Sequence, residues 1–154
     1  MAHEHHYAAR LVWTGAQRGP TTDYRSYSRE YRVEMEGKPP LVGSADPTFR
    51  GDPGLHNPED LLVASLSACH MLTYLAECAR AGIEVVAYED QARGKMAFKD
   101  RKMRFVEVTL APRVTIAAGD LAQAEALHEK AHADCFIASS VNFPVTNTAT
   151  VTRA

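Results

Sequence analysis

The sequence predicts an α+β fold in which strands flank two helices. Apolar and aromatic residues alternate with period two before residue 36 and again after residue 84, which is typical of strands. Between these regions, residues 57–80 form a largely apolar stretch with helix start and stop signals, and a shorter helical pattern covers 120–133. A chain of 154 residues, 45% hydrophobic, can bury one core, so we expect a single domain over 1–154.

The first part of the chain predicts two half-buried antiparallel strands. They cover Tyr7 to Trp13 and Ser26 to Met35, with the turn-rich connection 15–23 between them. Residues 37–57 then contain so many prolines and glycines that no regular element is expected there. We interpret this stretch as a long ordered loop, and loops of that length are often functional.

The clearest boundary is the start of the first helix at Asn57-Pro58-Glu59-Asp60. Asparagine caps a helix, proline is tolerated at its first position, and acidic residues complement the positive end of the helix dipole. The helix should end near Arg80, because Ala81-Gly82 offers a C-terminal stop. It is apolar nearly all round, so we expect it to be central and buried.

The remainder predicts a return to strands, interrupted by one helix. Residues 84–99 and 104–115 fit a long hairpin around the charged turn 99–102. Asp120 to Ala133 should form the second helix, with a short helical or turn segment beginning near Cys135. Residues 144–152 should form one last strand.

Composition excludes several classes of function. The net charge of -2 comes from interspersed acids and bases, without a basic block, so we expect no nucleic-acid partner. No window approaches the roughly 18 to 20 consecutive apolar residues of a membrane span, and the first residues lack a signal-peptide pattern. We therefore expect a cytoplasmic protein that does not bind membranes. Its three cysteines should be reduced there, so any disulfide would be transient and chemical.

Each cysteine has a structural and a chemical interpretation. Cys69 lies about three turns inside the first helix, where a cysteine is usually a small hydrophobic residue. Cys78 follows nine residues later on the opposite face, and we interpret it as structural. Cys135 lies at the break after the second helix, where backbone N–H groups can lower the pKa of a thiol, although it could equally fill a core.

Histidines near Cys135 raise the alternative of a zinc site. His128, His132 and Cys135 have spacings that could supply three ligands, but the glutamate of the zinc-protease motif is missing. We therefore predict no metal site. The cluster His3, His5 and His6 is interpreted as an inert exposed tail.

Glu59 could do more than stabilise a helix terminus. An acid at that place can hold an arginine, and Arg25, Arg29 and Arg50 all precede the helix. A guanidinium held in this way could lower the pKa of a nearby thiol and hydrogen-bond a peroxide oxygen.

Taken together, three segments resemble the OsmC/Ohr family of osmotically inducible and organic hydroperoxide resistance proteins. They are Asn57-Pro-Glu-Asp-Leu-Leu-Val-Ala-Ser-Leu-Ser-Ala-Cys69-His-Met-Leu, then His132-Ala-Asp-Cys135, then Asn142-Phe-Pro-Val. The likeness extends from Trp13 to Val151. It implies the OsmC-like α+β fold, with antiparallel sheets wrapped around long central helices in an intertwined homodimer. Active sites would then form at the subunit interface.

The resemblance also implies a chemistry. Cys69 matches the cysteine that reacts with peroxide, and Cys135 matches the second cysteine, which closes a disulfide with the Cys69 sulfenic acid. Glu59 matches the acid that holds an arginine, for which Arg25 is the first choice, Arg29 the second and Arg50 the third. An external dithiol, lipoyl-type or thioredoxin-like, would reset the enzyme, and no other cofactor is implied.

Two departures from better-known members indicate an OsmC-like branch of the family. The second cysteine is followed by Phe136, whereas the corresponding segment of organic hydroperoxide enzymes resembles Cys-Pro. The loop 38–56 is also long and proline-rich. Phe136, Phe143 and Met71 are candidates for an apolar substrate pocket, which favours organic hydroperoxides over hydrogen peroxide. The alternative is a non-catalytic protein that binds a lipid-like ligand in the same interfacial pocket.

Overall fold

Nine strands and two α-helices are formed by residues 3–154, the part of the chain that the computed structural model describes. This confirms the predicted α+β class. The chain divides into two compact units, one up to Leu61 and one from Leu62 onward. A single domain over 1–154 stays a prediction. The elements are β1 (Arg10–Val12), β2 (Tyr31–Glu34), β3 (Leu41–Gly43), α1 (Pro58–Arg80), β4 (Glu84–Asp90), β5 (Arg93–Lys99), β6 (Lys102–Leu110), β7 (Pro112–Ala118), α2 (Leu121–Asp134), β8 (Val145–Asn147) and β9 (Thr150–Arg153).

The first unit contains one antiparallel sheet in the order β1-β2-β3. β1 and β2 lie inside the two predicted strands but are shorter. β3 lies within 37–57, so the prediction that this stretch has no regular element was wrong. Gly43 makes β3 possible, because a Cβ there would lie 2.4 Å from the Tyr31 ring.

The second unit contains two three-stranded sheets, β4-β7-β9 and β5-β6-β8. The predicted long hairpin is therefore two nested pairs. β5 pairs with β6 around the expected turn, where Asp100 and Arg101 have positive φ, while β4 pairs with β7 in the other sheet. The predicted last strand is also divided, and its halves β8 and β9 each add a parallel strand to one sheet.

Helix α1 begins and ends where the sequence predicts. Asn57 Oδ1 accepts a hydrogen bond from the Asp60 N–H at 2.8 Å, and the Asp60 carboxylate accepts one from the Asn57 N–H at 3.2 Å. This reciprocal pair satisfies two backbone donors at the helix start. Gly82, with φ of 72°, supplies the left-handed residue that ends it.

The sequence predicted that α1 is central and buried, and within the described chain its fully buried residues lie along one stripe. Leu66, His70, Tyr74 and Cys78, spaced by four, are buried, whereas Leu72 is 62% exposed. A single chain covers only the stripe that packs against its own sheets and α2.

Helix α1 also meets a simple test for a membrane span. By length and composition alone it could cross a membrane, and 28% of its most apolar window is buried. Core helices of soluble proteins have the same properties. The sequence predicted no membrane span, because Ser65, Ser67 and His70 interrupt the apolar run. The helix still meets the test because charged residues are absent from 61–76.

Helix α2 is capped by Asp120, whose carboxylate accepts from the Gln123 N–H at 2.7 Å. Its buried residues Ala124, His128 and Ala131 form one stripe, and Cys135 continues that stripe just beyond the last helical residue.

Candidate active site

The structure brings Cys69 and Cys135 together. Cys69 is partly buried on α1, whereas Cys135 is buried immediately after α2. Burial raises the pKa of the Cys135 thiol, and hydrogen bonding with the Cys69 side chain raises this pKa further. Both thiols are free. The pair therefore combines one accessible sulfur with one protected from solvent.

Backbone groups fix the position of the Cys135 sulfur. The N–H groups of Ala138 and Ile137 act in the direction opposite to burial and lower the Cys135 pKa. The turn that presents them is held by Ser139, whose N–H and hydroxyl donate to the Cys135 carbonyl at 3.0 and 2.9 Å. These groups place the Cys135 sulfur beside the Cys69 side chain.

The two cysteines form the end of a series of contacts between antiparallel helices. Tyr74 Oη donates to the Ala124 carbonyl at 3.0 Å. One turn away, His70 Nε2 and His128 Nδ1 are 3.0 Å apart. Residue numbers fall along α1 as they rise along α2, and the contact of the two thiols lies one residue further along α1 and seven residues further along the chain from His128.

The two histidines form a buried neutral pair. His70 is 1% exposed and His128 is 3% exposed. The His128 ring stacks on Tyr74 with centroids 3.8 Å apart and an interplanar angle of 11°. Burial lowers the pKa of His128 to about 4, and burial also lowers that of His70, although Asp90 acts in the opposite direction.

The hydrogen bond between the rings uses only one nitrogen of each histidine. His70 Nδ1 and His128 Nε2 are buried and have no hydrogen-bond partner among residues 3–154. Whichever ring donates in the shared hydrogen bond, one donor and one acceptor are left over. From the sequence, His128 was a candidate only for the alternative zinc site, because no spacing rule pairs it with His70.

A metal site does not form around these histidines. His128 faces His70, while His132 lies one turn further along α2 and is partly buried. Within the described range 3–154, no group of three or more His, Cys, Asp or Glu side chains is arranged to hold a metal ion.

Cys78 lies apart from the thiol pair. It is 1% exposed and belongs to the core cluster that contains Tyr74 and Ile116. Burial raises the pKa of its thiol. This placement agrees with its interpretation as a structural residue.

Glu59 is not brought to an arginine. It is partly buried in the first turn of α1, and among residues 3–154 it has no lysine or arginine nitrogen within 4 Å. Arg25 is exposed, and its backbone N–H donates to Asp23 at 2.8 Å. Arg29 is held by aromatic rings, with its guanidinium 3.7 Å from the Tyr27 centroid and 4.9 Å from that of Tyr24.

Three arginines line one cavity of the first unit, which has a volume of about 530 Å³. Arg29 and Arg50 were among the predicted candidates, whereas Arg18 was not. Arg18 lies 3.4 Å from Glu30, which also lines the cavity. Its place in the turn-rich connection 15–23 gave no signal of a shared cavity.

The predicted apolar residues occupy different environments. Phe136 is 83% exposed, and Met71 is partly buried on α1. Phe143 packs against Phe105 with centroids 5.6 Å apart, in the core cluster that contains Leu66. Phe143 also lines a pocket of about 370 Å³ whose other lining residues are Lys102, Met103, Arg104, Phe105 and Asn142.

Comparisons with known proteins agree with this arrangement. The family model described as "OsmC-like protein" matches residues 51–149. An OsmC-like protein of unknown function from Vibrio cholerae has a solved structure with 31% identity and a TM-score of 0.87; the match covers 96% of this chain and 100% of that one. A search of curated proteins finds no match.

More distant structures share the fold. The organic hydroperoxide resistance protein from Elizabethkingia anophelis has 19% identity and a TM-score of 0.70, with 100% of both chains covered. That from Legionella pneumophila has 20% identity and a TM-score of 0.68, with 98% of this chain and 99% of that one covered. At these identities the likeness concerns the fold.

Proposed function

Because this chain belongs to the OsmC-like protein family, we propose that it is a thiol-dependent peroxidase that reduces organic hydroperoxides and, more weakly, hydrogen peroxide. One observation carries the proposal: a partly accessible thiol, Cys69, lies beside a buried thiol, Cys135. This is the arrangement that attack followed by disulfide closure requires.

The proposed cycle has two steps on the protein. The Cys69 thiolate attacks the terminal peroxide oxygen, the O–O bond breaks, and the alkoxide leaves as an alcohol after taking up a proton. Cys69 is then a sulfenic acid. The Cys135 sulfur attacks the Cys69 sulfur, the S–O bond breaks, and water leaves as the disulfide forms.

An external dithiol, lipoyl-type or thioredoxin-like, would complete the cycle. Thiol–disulfide exchange transfers two electrons from that dithiol to the Cys69–Cys135 disulfide and regenerates both thiols. We place the enzyme in the cytoplasm, where thiols are kept reduced.

A homodimer and the remaining predicted site residues belong to the same proposal. Exposed apolar side chains on α1, including Leu72 at 62%, support a second copy as the missing cover. In that assembly Glu59 would hold Arg25 or Arg29 near Cys69. Met71, Phe136 and Phe143 would line the apolar part of the substrate pocket.

One observation favours a second candidate, a non-catalytic protein that binds a lipid-like ligand. Burial raises the pKa of Cys135, and a buried protonated thiol is a poor nucleophile. In that case the cysteines would be packing residues, and exposed Phe136 would contact the ligand.

The test is peroxide-dependent thiol consumption by the purified protein, with cumene hydroperoxide and hydrogen peroxide compared and the products mapped by mass spectrometry. We expect rapid consumption that ends in a Cys69–Cys135 disulfide, faster with cumene hydroperoxide. Cys69→Ser should abolish it, and the matched control Cys78→Ala should retain it. Unchanged consumption in Cys69→Ser, or three free thiols after treatment of the wild type, would overturn the proposal.

A further inference from the structure

We propose that His70 and His128 are positioning residues that hold the Cys135 sulfur at the distance from Cys69 needed for disulfide closure. The inference rests on the proposed function for its kinetic consequence. Its geometric basis is independent, because it lies in the contacts between α1 and α2.

The position of the pair along the helices is the first step. His70 directly follows Cys69 on α1, and His128 precedes Cys135 by seven residues, which is about two turns and nearly the same face of α2. The 3.0 Å hydrogen bond between the rings therefore starts from the residue next to Cys69 on α1 and ends about two turns before Cys135 on α2. The other hydrogen bond between these helices, from Tyr74 to Ala124, lies one turn further from Cys135.

The position of Cys135 just beyond α2 is the second step. Cys135 lies beyond the last residue of α2, and its extended backbone, with φ of -72° and ψ of 114°, has left the helical conformation. Its position relative to Cys69 depends both on α2, which precedes it, and on the turn held by Ser139, which follows it. Of the side-chain hydrogen bonds between α1 and α2 among residues 3–154, that of the histidine pair lies nearest to Cys135 in sequence, and buried Ala131 packs in the core one turn before Cys135.

The chemistry of the pair is the third step, because a hydrogen bond between two imidazoles requires an unprotonated nitrogen as acceptor. The surroundings favour neutral rings. His70 is faced by the Asp90 carboxylate from β4, which favours protonation, and by His132 from α2, which opposes it. His128 is faced by His70 and by the Tyr74 ring, and burial lowers its pKa to about 4.

The two catalytic steps depend on the pair differently. Attack on peroxide involves only the Cys69 sulfur, whereas closure requires both sulfurs within bonding distance. Loss of the histidine contact should therefore slow closure by about tenfold or more while sulfenic acid formation continues, since small misplacements of reacting groups cost large factors in rate.

The experiment compares His128→Phe, which retains a stacked ring without nitrogen, with His128→Asn, whose amide oxygen can accept from His70 Nε2. Tyr74→Phe is the matched control, because it removes the other hydrogen bond between the same helices. Two readouts are measured on the full chain: trapping of the Cys69 sulfenic acid with dimedone after peroxide addition, and the Cys69–Cys135 disulfide equilibrium in glutathione redox buffers.

We expect His128→Phe to accumulate the dimedone adduct. Its disulfide should form only in a redox buffer that is at least about tenfold more oxidising than the wild type needs. His128→Asn should recover most of both properties, and Tyr74→Phe should resemble the wild type. Equal values for His128→Phe and wild type, or an equal effect of Tyr74→Phe, would overturn the inference.

The redox-buffer readout separates this inference from the proposed function, because it needs no peroxide. A wild type that does not react with peroxide would overturn the peroxidase proposal. The disulfide equilibrium in redox buffer would still test the role of the histidines. If His128→Phe does not fold, His70→Leu and His70→Gln provide the same comparison from the α1 side.

Discussion

The Ser67 hydroxyl on α1 donates a hydrogen bond to the carboxylate of Asp90 at the end of β4. The other oxygen of this carboxylate accepts from the Ala111 N–H at 2.7 Å, at the point where the chain passes from β6 to β7. The Asp90 side chain thus links α1, the helix that bears Cys69, to the point where the chain passes from one sheet of the second unit to the other.

Asp90→Ala should lower the free energy of unfolding by roughly 2–3 kcal/mol, because it leaves the partly buried Ala111 N–H without its acceptor and removes a charged hydrogen bond to Ser67. Urea denaturation followed by circular dichroism measures the change. Ser67→Ala, which removes one of the two bonds, should cost about 1 kcal/mol. A loss for Asp90→Ala no larger than that of Ser67→Ala would show that the Ala111 contact contributes nothing.

Local signals explain why the helices were predicted well. The Asn57–Asp60 capping pair and the left-handed Gly82 are determined by residues close in sequence, so the bounds of α1 could be read directly. The same holds for Asp120 at the start of α2. The turn at Asp100 and Arg101 was also visible from its charge and composition.

Long-range pairings were not visible in the sequence. The pattern 84–115 shows strands, but the exchange of sheets at Gln91-Ala92 and Ala111 depends on Asp90, which bridges distant segments. In the site, family resemblance pointed to Cys69 and Cys135. The His70–His128 contact joins residues 58 positions apart, and no periodic pattern in the sequence predicts it.

Acid should destabilise the protein through the histidine pair. The His128 pKa is about 4 in the fold and 6.5 for the unperturbed side chain, so the unfolded chain binds more protons between these values. The stabilisation is complete above pH 6.5 and is lost as the pH falls toward 4. At about 1.4 kcal/mol per pKa unit, His128 accounts for at most about 3.5 kcal/mol. The burial of His70 acts in the same direction.

Denaturant unfolding at a series of pH values between 7 and 4 measures this dependence. His128→Phe, which has no titrating group, should flatten the curve in this window, and Gln123→Ala on the exposed side of α2 should leave it unchanged. A steep acid dependence that persists in His128→Phe would assign the effect to other groups, such as the carboxylates.

Gly94→Ala should destabilise the second unit by roughly 1–2 kcal/mol, because a Cβ at this position has no room. It would lie 2.7 Å from Val63 Cγ2 on α1 and 2.7 Å from Phe105 Cε1 on β6. Thermal unfolding measures the loss. The double variant with Val63→Ala should recover part of it, since the shorter side chain frees one of the two contacts. No recovery would place the strain at Phe105 alone.

The three thiols should differ in their reaction with iodoacetamide in the native protein. Cys69 is the partly accessible one, whereas Cys78 and Cys135 are each 1% exposed and have pKa values raised first of all by burial. We expect Cys69 to be alkylated first and Cys78 last, because thiolate formation and access both limit the reaction. Timed labelling with peptide mapping gives the order, and labelling in urea, where all three thiols should react alike, is the control. Early modification of Cys78 would mean that the core around Tyr74 opens more readily than the thiol site. Such a result would weaken the view that the histidine pair and its neighbours hold α1 and α2 in a fixed register.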